Sequence, residues 1–353
     1  MNIYLHFPFC RSKCAYCALH SRAGSAPDVR RAYSERLVHE ISAITAAPPP
    51  HTIYFGGGSP ALCPLPPILD ALRDKGLLVP GSECTVELHP LDATPETLES
   101  LRFHGVNRIS LGVQTLDDPT LSLLKRRHTA ADAIAAISTI KRFFPSFGID
   151  LIVGLPTPPD LDAIARILPS LSHVSVYTLI REPNTLLDLE VRRGRITLPD
   201  DSAALAEFAA VRELLMTNGF SRYEISNFAR PGFECRHNFA VWRGEDYIGL
   251  GDGACGRQGL VRTIGKDGSY ESETLTPEAD ALERVFFSLR TSDGLSPTRA
   301  AAHWPILAPR IDAWGHTLDF HVSQGLLSHD GTTYRLTQRG AEVCDSILAD
   351  LLP

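Results

Sequence analysis

Six times between residues 2 and 217 the sequence passes from a short apolar run into a stretch with helical spacing. That alternation limits the fold more than any other feature. The runs 2–7, 52–55, 84–89, 108–113, 147–153 and 173–180 have the length and apolar character of strands. Helical patterns follow them at 29–44, 66–75, 95–103, within 119–143, at 160–170 and at 202–217. In the first helix Val29, Tyr33, Leu37, Ile41 and Ile44 keep one stripe, and Pro48-Pro49-Pro50 ends it. An α/β chain of this kind needs a parallel sheet with right-handed crossovers, either open and doubly wound or an incomplete barrel. In both, active residues belong on loops at strand C-terminal ends.

The first of those loops carries Cys10, Cys14 and Cys17 in the run CRSKCAYC. Three thiolates can hold a metal, or a four-iron cluster whose fourth iron stays open. The rival reading is structural zinc, with His20 as fourth ligand. The mouth of a large sheet suits an open iron better, because a closed zinc site normally stitches a small module of its own. The other five cysteines, at 63, 84, 235, 255 and 344, are scattered and do not make a disulfide framework.

The second strand ends in Gly56-Gly57-Gly58-Ser59-Pro60, where the missing Cβ atoms let a ligand approach the backbone. No phosphate-loop GxxxxGK[ST] is present. Glu87, Gln114, Arg126 and Asp150 stand at or after later strand ends. Together they suit a nucleoside joined to an amino acid, since carboxylates bind ribose hydroxyls or an ammonium group and Arg pairs with a carboxylate.

Lys and Arg number 34 against 41 Asp and Glu, a formal net charge of −7 without long runs. Nucleic acid is therefore not an expected partner. No run of about eighteen apolar residues suggests a membrane span, and no secretory signal opens the chain, so a cytoplasmic protein is expected. Residues 1–220 read as the barrel core and 221–265 as a loop-rich segment closing its mouth. Residues 266–353 read as a small α+β unit of helices, a hairpin and a last helix at 337–351.

CxxxCxYC after the first strand, GGGSP after the second and the SLGVQ stretch resemble the radical S-adenosylmethionine (SAM) superfamily. Within it, IYLHFPFC, DLIVGLP, YEISNFA, RHNFAVW and the tail GLLSHDGTTYRLTQRGAEVCDSIL are similar to the oxygen-independent coproporphyrinogen III oxidase family, which includes HemW-type haem chaperones. The resemblance implies a partial (β/α)6 TIM-type barrel with a C-terminal winged-helix-like α+β domain. It implies a [4Fe-4S] cluster on Cys10, Cys14 and Cys17 and S-adenosylmethionine contacts at Gly57, Gly58, Ser59, Glu87, Gln114, Arg126 and Asp150, with Tyr4 a neighbour.

Leu19 stands where the oxidase branch has a fourth cysteine, and the chain begins at its first strand; both point to the chaperone branch. Arg236-His237-Asn238-Phe239-Ala240-Val241-Trp242 matches the family's HNxxYW haem signature except at Val241, which makes His237 the expected axial ligand. His89 replaces the usual Asn, and Gly253-Ala254-Cys255-Gly256 replaces GAHS, so Cys255 is a second candidate thiolate. Haem and haem-accepting apoproteins, respiratory enzymes among them, are the implied partners, and a homodimer is admitted. The alternative function is enzymatic, with reductive SAM cleavage and hydrogen abstraction from a porphyrinogen. A third reading is a zinc protein whose tail docks a partner or DNA.

Overall fold

The computed structural model describes residues 1–45 and 48–352. Strand β1 (Asn2–Phe7) runs into a two-residue ladder of β2 (Phe9–Cys10) with β3 (Arg22–Ala23), and α1 (Pro27–Ala43) crosses back. The alternation then continues as expected, with β4 (Thr52–Gly57), α2 (Pro66–Asp74), β5 (Glu83–Leu88), α3 (Pro95–Phe103) and β6 (Arg108–Gln114). After α4 (Asp118–Leu123) and α5 (Ala130–Phe143) come β7 (Phe147–Val153), α6 (Leu161–Ile167) and β8 (His173–Thr178). Helices α7 (Leu186–Arg192) and α8 (Asp201–Thr217) complete the sixth unit. Strands β1, β4, β5, β6, β7 and β8 are parallel neighbours in chain order, so the sheet curves into a partial barrel.

The side-chain period of two divides these strands into unlike faces. One face carries Ile3, Leu5, Phe7, Ile53, Phe55, Val86, Ile109, Leu111, Ile149 and Val174, all buried against Leu37, Ile41, Leu69, Leu98, Ile137 and Val211 of the covering helices. Each such side chain contributes about 1.5–3 kcal/mol by leaving water. The alternate residues, Asn2, Tyr4 and His6 on β1, Thr52 and Tyr54 on β4, Glu83 and Glu87 on β5, Arg108 and Ser110 on β6, Asp150 on β7 and His173 on β8, make the inner face polar and ionisable. The packing core thus lies between sheet and helices, and the barrel interior is left to chemistry.

The segment 221–265 departs from its expected role as a cover for the mouth. It splits between the two edges of the sheet. Strands β9 (Ser221–Arg222) and β10 (Asn227–Ala229) extend the β8 edge in antiparallel pairing, while β11 (Tyr247–Leu250) joins β1 in parallel. Between them α9 (Arg236–Trp242) docks at the opposite end of the barrel from the cysteines. There Glu83, the first residue of β5, accepts hydrogen bonds from the main-chain N–H of Arg236 and of His237, each at 3.0 Å. Beyond β11 the sheet runs on through β12 (Cys255–Gln258), β13 (Val261–Lys266) and β14 (Ser269–Thr274), twelve strands in all.

The C-terminal unit accordingly begins at residue 277 and not at 266, because β14 still pairs with β13. It comprises α10 (Pro277–Leu289), α11 (Pro297–His303), α12 (Ala308–Ser323), the hairpin β15 (Leu327–His329) and β16 (Tyr334–Leu336), α13 (Gln338–Glu342) and α14 (Cys344–Ala349). Val285, Leu289, Leu307, Trp314, Leu318 and Ile347 give it a core of its own. The single helix expected at 337–351 is broken at Val343, whose φ of −123° and ψ of 25° are not helical. Among the described residues no helix is long and apolar enough to cross a membrane.

Candidate functional site

The cysteine loop is held at both ends by main-chain hydrogen bonds. Arg22 N–H donates to Pro8 at 2.8 Å, Ala15 N–H to Leu124 at 2.8 Å, and Leu187 N–H to Ala15 at 2.8 Å. Lys13 Nζ gathers the return of the loop by donating to the carbonyl and hydroxyl of Ser21 and to the Leu19 carbonyl. The side chains of Cys10, Cys14 and Cys17 remain partly exposed. Burial pushes the Cys10 thiol up from its usual pKa.

The glycine run lies directly against that loop. Gly58 N–H donates to Phe7 O and Ser59 N–H to Phe9 O, both at 2.7 Å. Gly57 has φ +105°, a left-handed conformation that favours glycine, and its N–H donates to Glu87 Oε2 at 3.1 Å. A Cβ on Gly58 would stand 2.4 Å from Phe9 O and 2.9 Å from Cys10 Sγ, so only glycine permits this approach.

A cavity of about 590 Å³ opens above this ledge. It is lined by all three cysteines and by Gly57, Gly58, Ser59, Glu87, Gln114, Arg126 and Asp150. The structure therefore brings together every cofactor residue read from the sequence except Tyr4 and His237. Gln114 reaches the cavity through a register irregularity in β6 and a φ of 71°, strain of the kind stored at binding sites. Arg126 Nη1 donates to Cys14 Sγ at 3.5 Å, which sets a fixed positive charge beside one thiol, and its Nε has no hydrogen-bond partner among the described residues.

Glu87 and Asp150 share a confined polar space. Burial, and secondly Asp150, push Glu87 up to about 7, although Tyr54 Oη donates to it at 2.9 Å. Burial raises Asp150 as well, against hydrogen bonds from Ser175 and Ser110. The folded protein therefore holds these protons more tightly than the unfolded chain, so stability falls as pH rises from the ordinary glutamate range through about 7. Urea unfolding between pH 5 and 8 is expected to show that decline, and Glu87→Gln to flatten it.

Tyr4 lies one inward position below His6 and donates to His6 Nδ1 at 3.0 Å, which leaves His6 Nε2–H to donate to His20 O at 2.8 Å. It belongs to an aromatic layer beneath the cavity, with Tyr4 to Tyr54 centroids 6.1 Å apart and Tyr54 to His237 5.0 Å. His237 is thus at the floor of the barrel. The ring is 4% exposed, its Nδ1 lies 2.8 Å from the Thr52 hydroxyl, and burial lowers it to about 3, so it is a neutral, enclosed imidazole. Cys235 beside it is fully buried.

The zinc expectation fares differently from the cluster. His20 is exposed and stacks its Cβ near Gly253 instead of lining the cavity. Among the described residues no three Cys, His, Asp or Glu side chains converge as a single ion requires. Three thiols spread around one cavity wall, beside an arginine and a glycine ledge, fit a larger polynuclear group.

Sequence reasoning did not single out Tyr16, Tyr177 or Ile180, which also line the cavity. Tyr16 sits inside the cysteine run, and Tyr177 and Ile180 lie at the end of β8, so strand-end position was the available signal. His89 lines it too; burial and then Arg126 lower it to about 2.

Residues 4–168 match the Radical SAM superfamily. The chain is 33% identical to the heme chaperone HemW of Mycobacterium tuberculosis, over 99% of this chain and 94% of that protein. It is 32% identical to HemW of Bacillus subtilis, over 99% and 100%. It is 31% identical to the mouse mitochondrial radical S-adenosyl methionine domain-containing protein 1, over 99% and 87%. Among solved structures, coproporphyrinogen III oxidase (HemN) from Escherichia coli superposes with a TM-score of 0.82 at 21% identity, covering 99% of this chain and 89% of that one. That likeness establishes the fold.

Proposed function

Because the chain belongs to the radical SAM superfamily and, within it, to the family of HemW heme chaperones, we propose that it binds haem and delivers it to apoproteins in the cytoplasm. The observation that carries this reading is one cavity holding the three cysteines, the glycine ledge and the Glu87, Arg126 and Asp150 charges, in a chain alike to HemW along its whole length.

Cys10, Cys14 and Cys17 would hold a [4Fe-4S] cluster, and Gly57, Gly58 and Ser59 would flank the amino-acid end of S-adenosylmethionine. When bound, that pair supplies one-electron chemistry. The chain's own residues bind, orient and shield. Glu87 and Asp150 present carboxyls to the hydroxyls or the cationic part of the cofactor, while Arg126 offers its guanidinium to a carboxylate. Leu19, more than half exposed, and Ile180, 70% exposed, make an apolar rim around the opening, suited to a large, flat partner molecule.

Anaerobically reconstituted protein should bind haem and, on mixing with an apo-haem protein, transfer it. An intact cluster with no haem binding would overturn the reading. Conversion of coproporphyrinogen III to protoporphyrinogen IX in the presence of dithionite and S-adenosylmethionine would replace it with the enzymatic one.

A further inference from the structure

The turn that leaves β11, Gly251-Asp252-Gly253, packs against the outgoing end of β1 and against His20. Both glycines hold a positive φ, +90° and +87°. A Cβ on Gly251 would stand 2.3 Å from Tyr33 Oη and 2.9 Å from His6 O, and one on Gly253 would stand 2.8 Å from His20 Cβ. Neither position admits a side chain.

Asp252, between them, is 5% exposed, and three parts of the fold meet on it. Its carboxylate pairs with Arg36 of α1 at 2.8 Å and accepts the main-chain N–H of Gly268, at the turn from β13 to β14, at 2.9 Å. Its own N–H donates to Tyr33 Oη at 3.0 Å, and Tyr33 donates to His6 O at 2.7 Å. Gly253 N–H donates to Gly265 O at 2.7 Å, which ties the turn to β13 as well. Such burial and pairing exclude a solvated charge, the ordinary role of an aspartate in a glycine turn.

These contacts bear on the third cysteine. His20 lies three residues past Cys17, where the loop turns back toward β3. Its carbonyl accepts from His6 Nε2–H at 2.8 Å, and its side chain rests on Gly253. Both holds on His20 therefore lead back to Asp252, one through the next residue in the chain and the other through Tyr33 and His6. The other two cysteines have separate supports. Cys10 belongs to the ladder of β2 with β3, and the chain at Cys14 is pinned by the Ala15 N–H to Leu124 and by Arg126. Lys13 gathers Leu19 and Ser21, but from an exposed side chain with a flexible stem.

We propose that Asp252 is a positioning residue for the cluster, fixing the limb after Cys17 so that the third thiolate keeps its place in the ligand set. The assignment rests on the cluster reading above and names what holds that cluster's last ligand. Anaerobically reconstituted full-length protein, challenged with the iron chelator bathophenanthroline well below its unfolding midpoint, tests it. Asp252→Ala should release iron about tenfold faster than wild type, since outer partners of metal ligands are worth about 10–100-fold. Asp252→Asn, which keeps an acceptor for Gly268 and loses the charge facing Arg36, should fall between them, and it carries the comparison if Asp252→Ala does not fold. The EPR spectrum of the dithionite-reduced cluster should change shape in the same order. Asp280→Ala is the comparison for stability alone. Asp280 is 7% exposed and pairs with Arg257 and Arg284, so its loss should lower the urea midpoint while release and spectrum stay as in wild type. Wild-type release from the Asp252 variants, or equal acceleration in Asp280→Ala, would overturn the proposal. A wild-type protein that takes up no iron would instead defeat the cluster reading itself.

Discussion

Replacing Cys14 with alanine is expected to leave a folded protein that takes up almost no iron or acid-labile sulfide on anaerobic reconstitution. The thiol is partly exposed and its loop is pinned through main-chain atoms of Pro8, Ala15 and Leu124, so the change should cost at most about 0.5 kcal/mol of stability. The cluster has no such reserve. Cys10, Cys14 and Cys17 are the cysteines that line the cavity, so no other thiol there can take the place of Cys14. Iron and sulfide analysis of wild type, Cys14→Ala and, as a control, Cys344→Ala separates the effects, since Cys344 is buried in the C-terminal unit. Equal iron in all three would show that the triad does not hold the cluster.

Gly58→Ala should damage the cysteine ledge directly. The added carbon would stand 2.4 Å from Phe9 O, 2.8 Å from Phe7 O and 2.9 Å from Cys10 Sγ. The first two are main-chain atoms that accept the Ser59 and Gly58 hydrogen bonds, so they cannot yield without breaking the ledge from the loop. Overpacking of this kind costs about 1–3 kcal/mol, and a clash with backbone belongs at the upper end. Urea unfolding should show that loss, and reconstituted iron should fall with it because Cys10 moves. Ala18→Ser, on the exposed side of the same cavity, should change neither by a measurable amount.

Much of this was legible in the sequence because it rests on local rules. The six parallel strands, their helices and the strand-end position of the cysteines follow from period and punctuation, and a cavity at that end collects what the strand ends offer. Edge pairing was not legible. Tyr247–Leu250 is a four-residue run whose partner, Asn2–Leu5, lies over two hundred residues away, and nothing in either names the other. Strand β14, Ser-Tyr-Glu-Ser-Glu-Thr, is exposed throughout and has no apolar alternation to betray it. The end of the barrel at which His237 lies was hidden too, because the motif gives residue types while the Glu83 carboxylate, on another strand, decides where α9 docks. Tyr4 was assigned to the cofactor on its nearness to Cys10, but strand alternation lowers it by a layer.

The pairing of β11 with β1 bears on the order in which the molecule can be assembled. The strand that leads into the cysteine loop is made before the other strands of its sheet, yet one of its two flanks stays bare until residues 247–250 are made. The same late segment then tightens the region: Asp252 N–H donates to Tyr33 Oη, which itself donates to His6 O. A chain cut at residue 220 would expose an unpaired parallel strand with Ile3, Leu5 and Phe7 behind it, a template for association with other chains. A nascent chain faces the same hazard during synthesis, and closing so long a loop is slow. Residues 247–252 thus act as a clasp on the first ten residues.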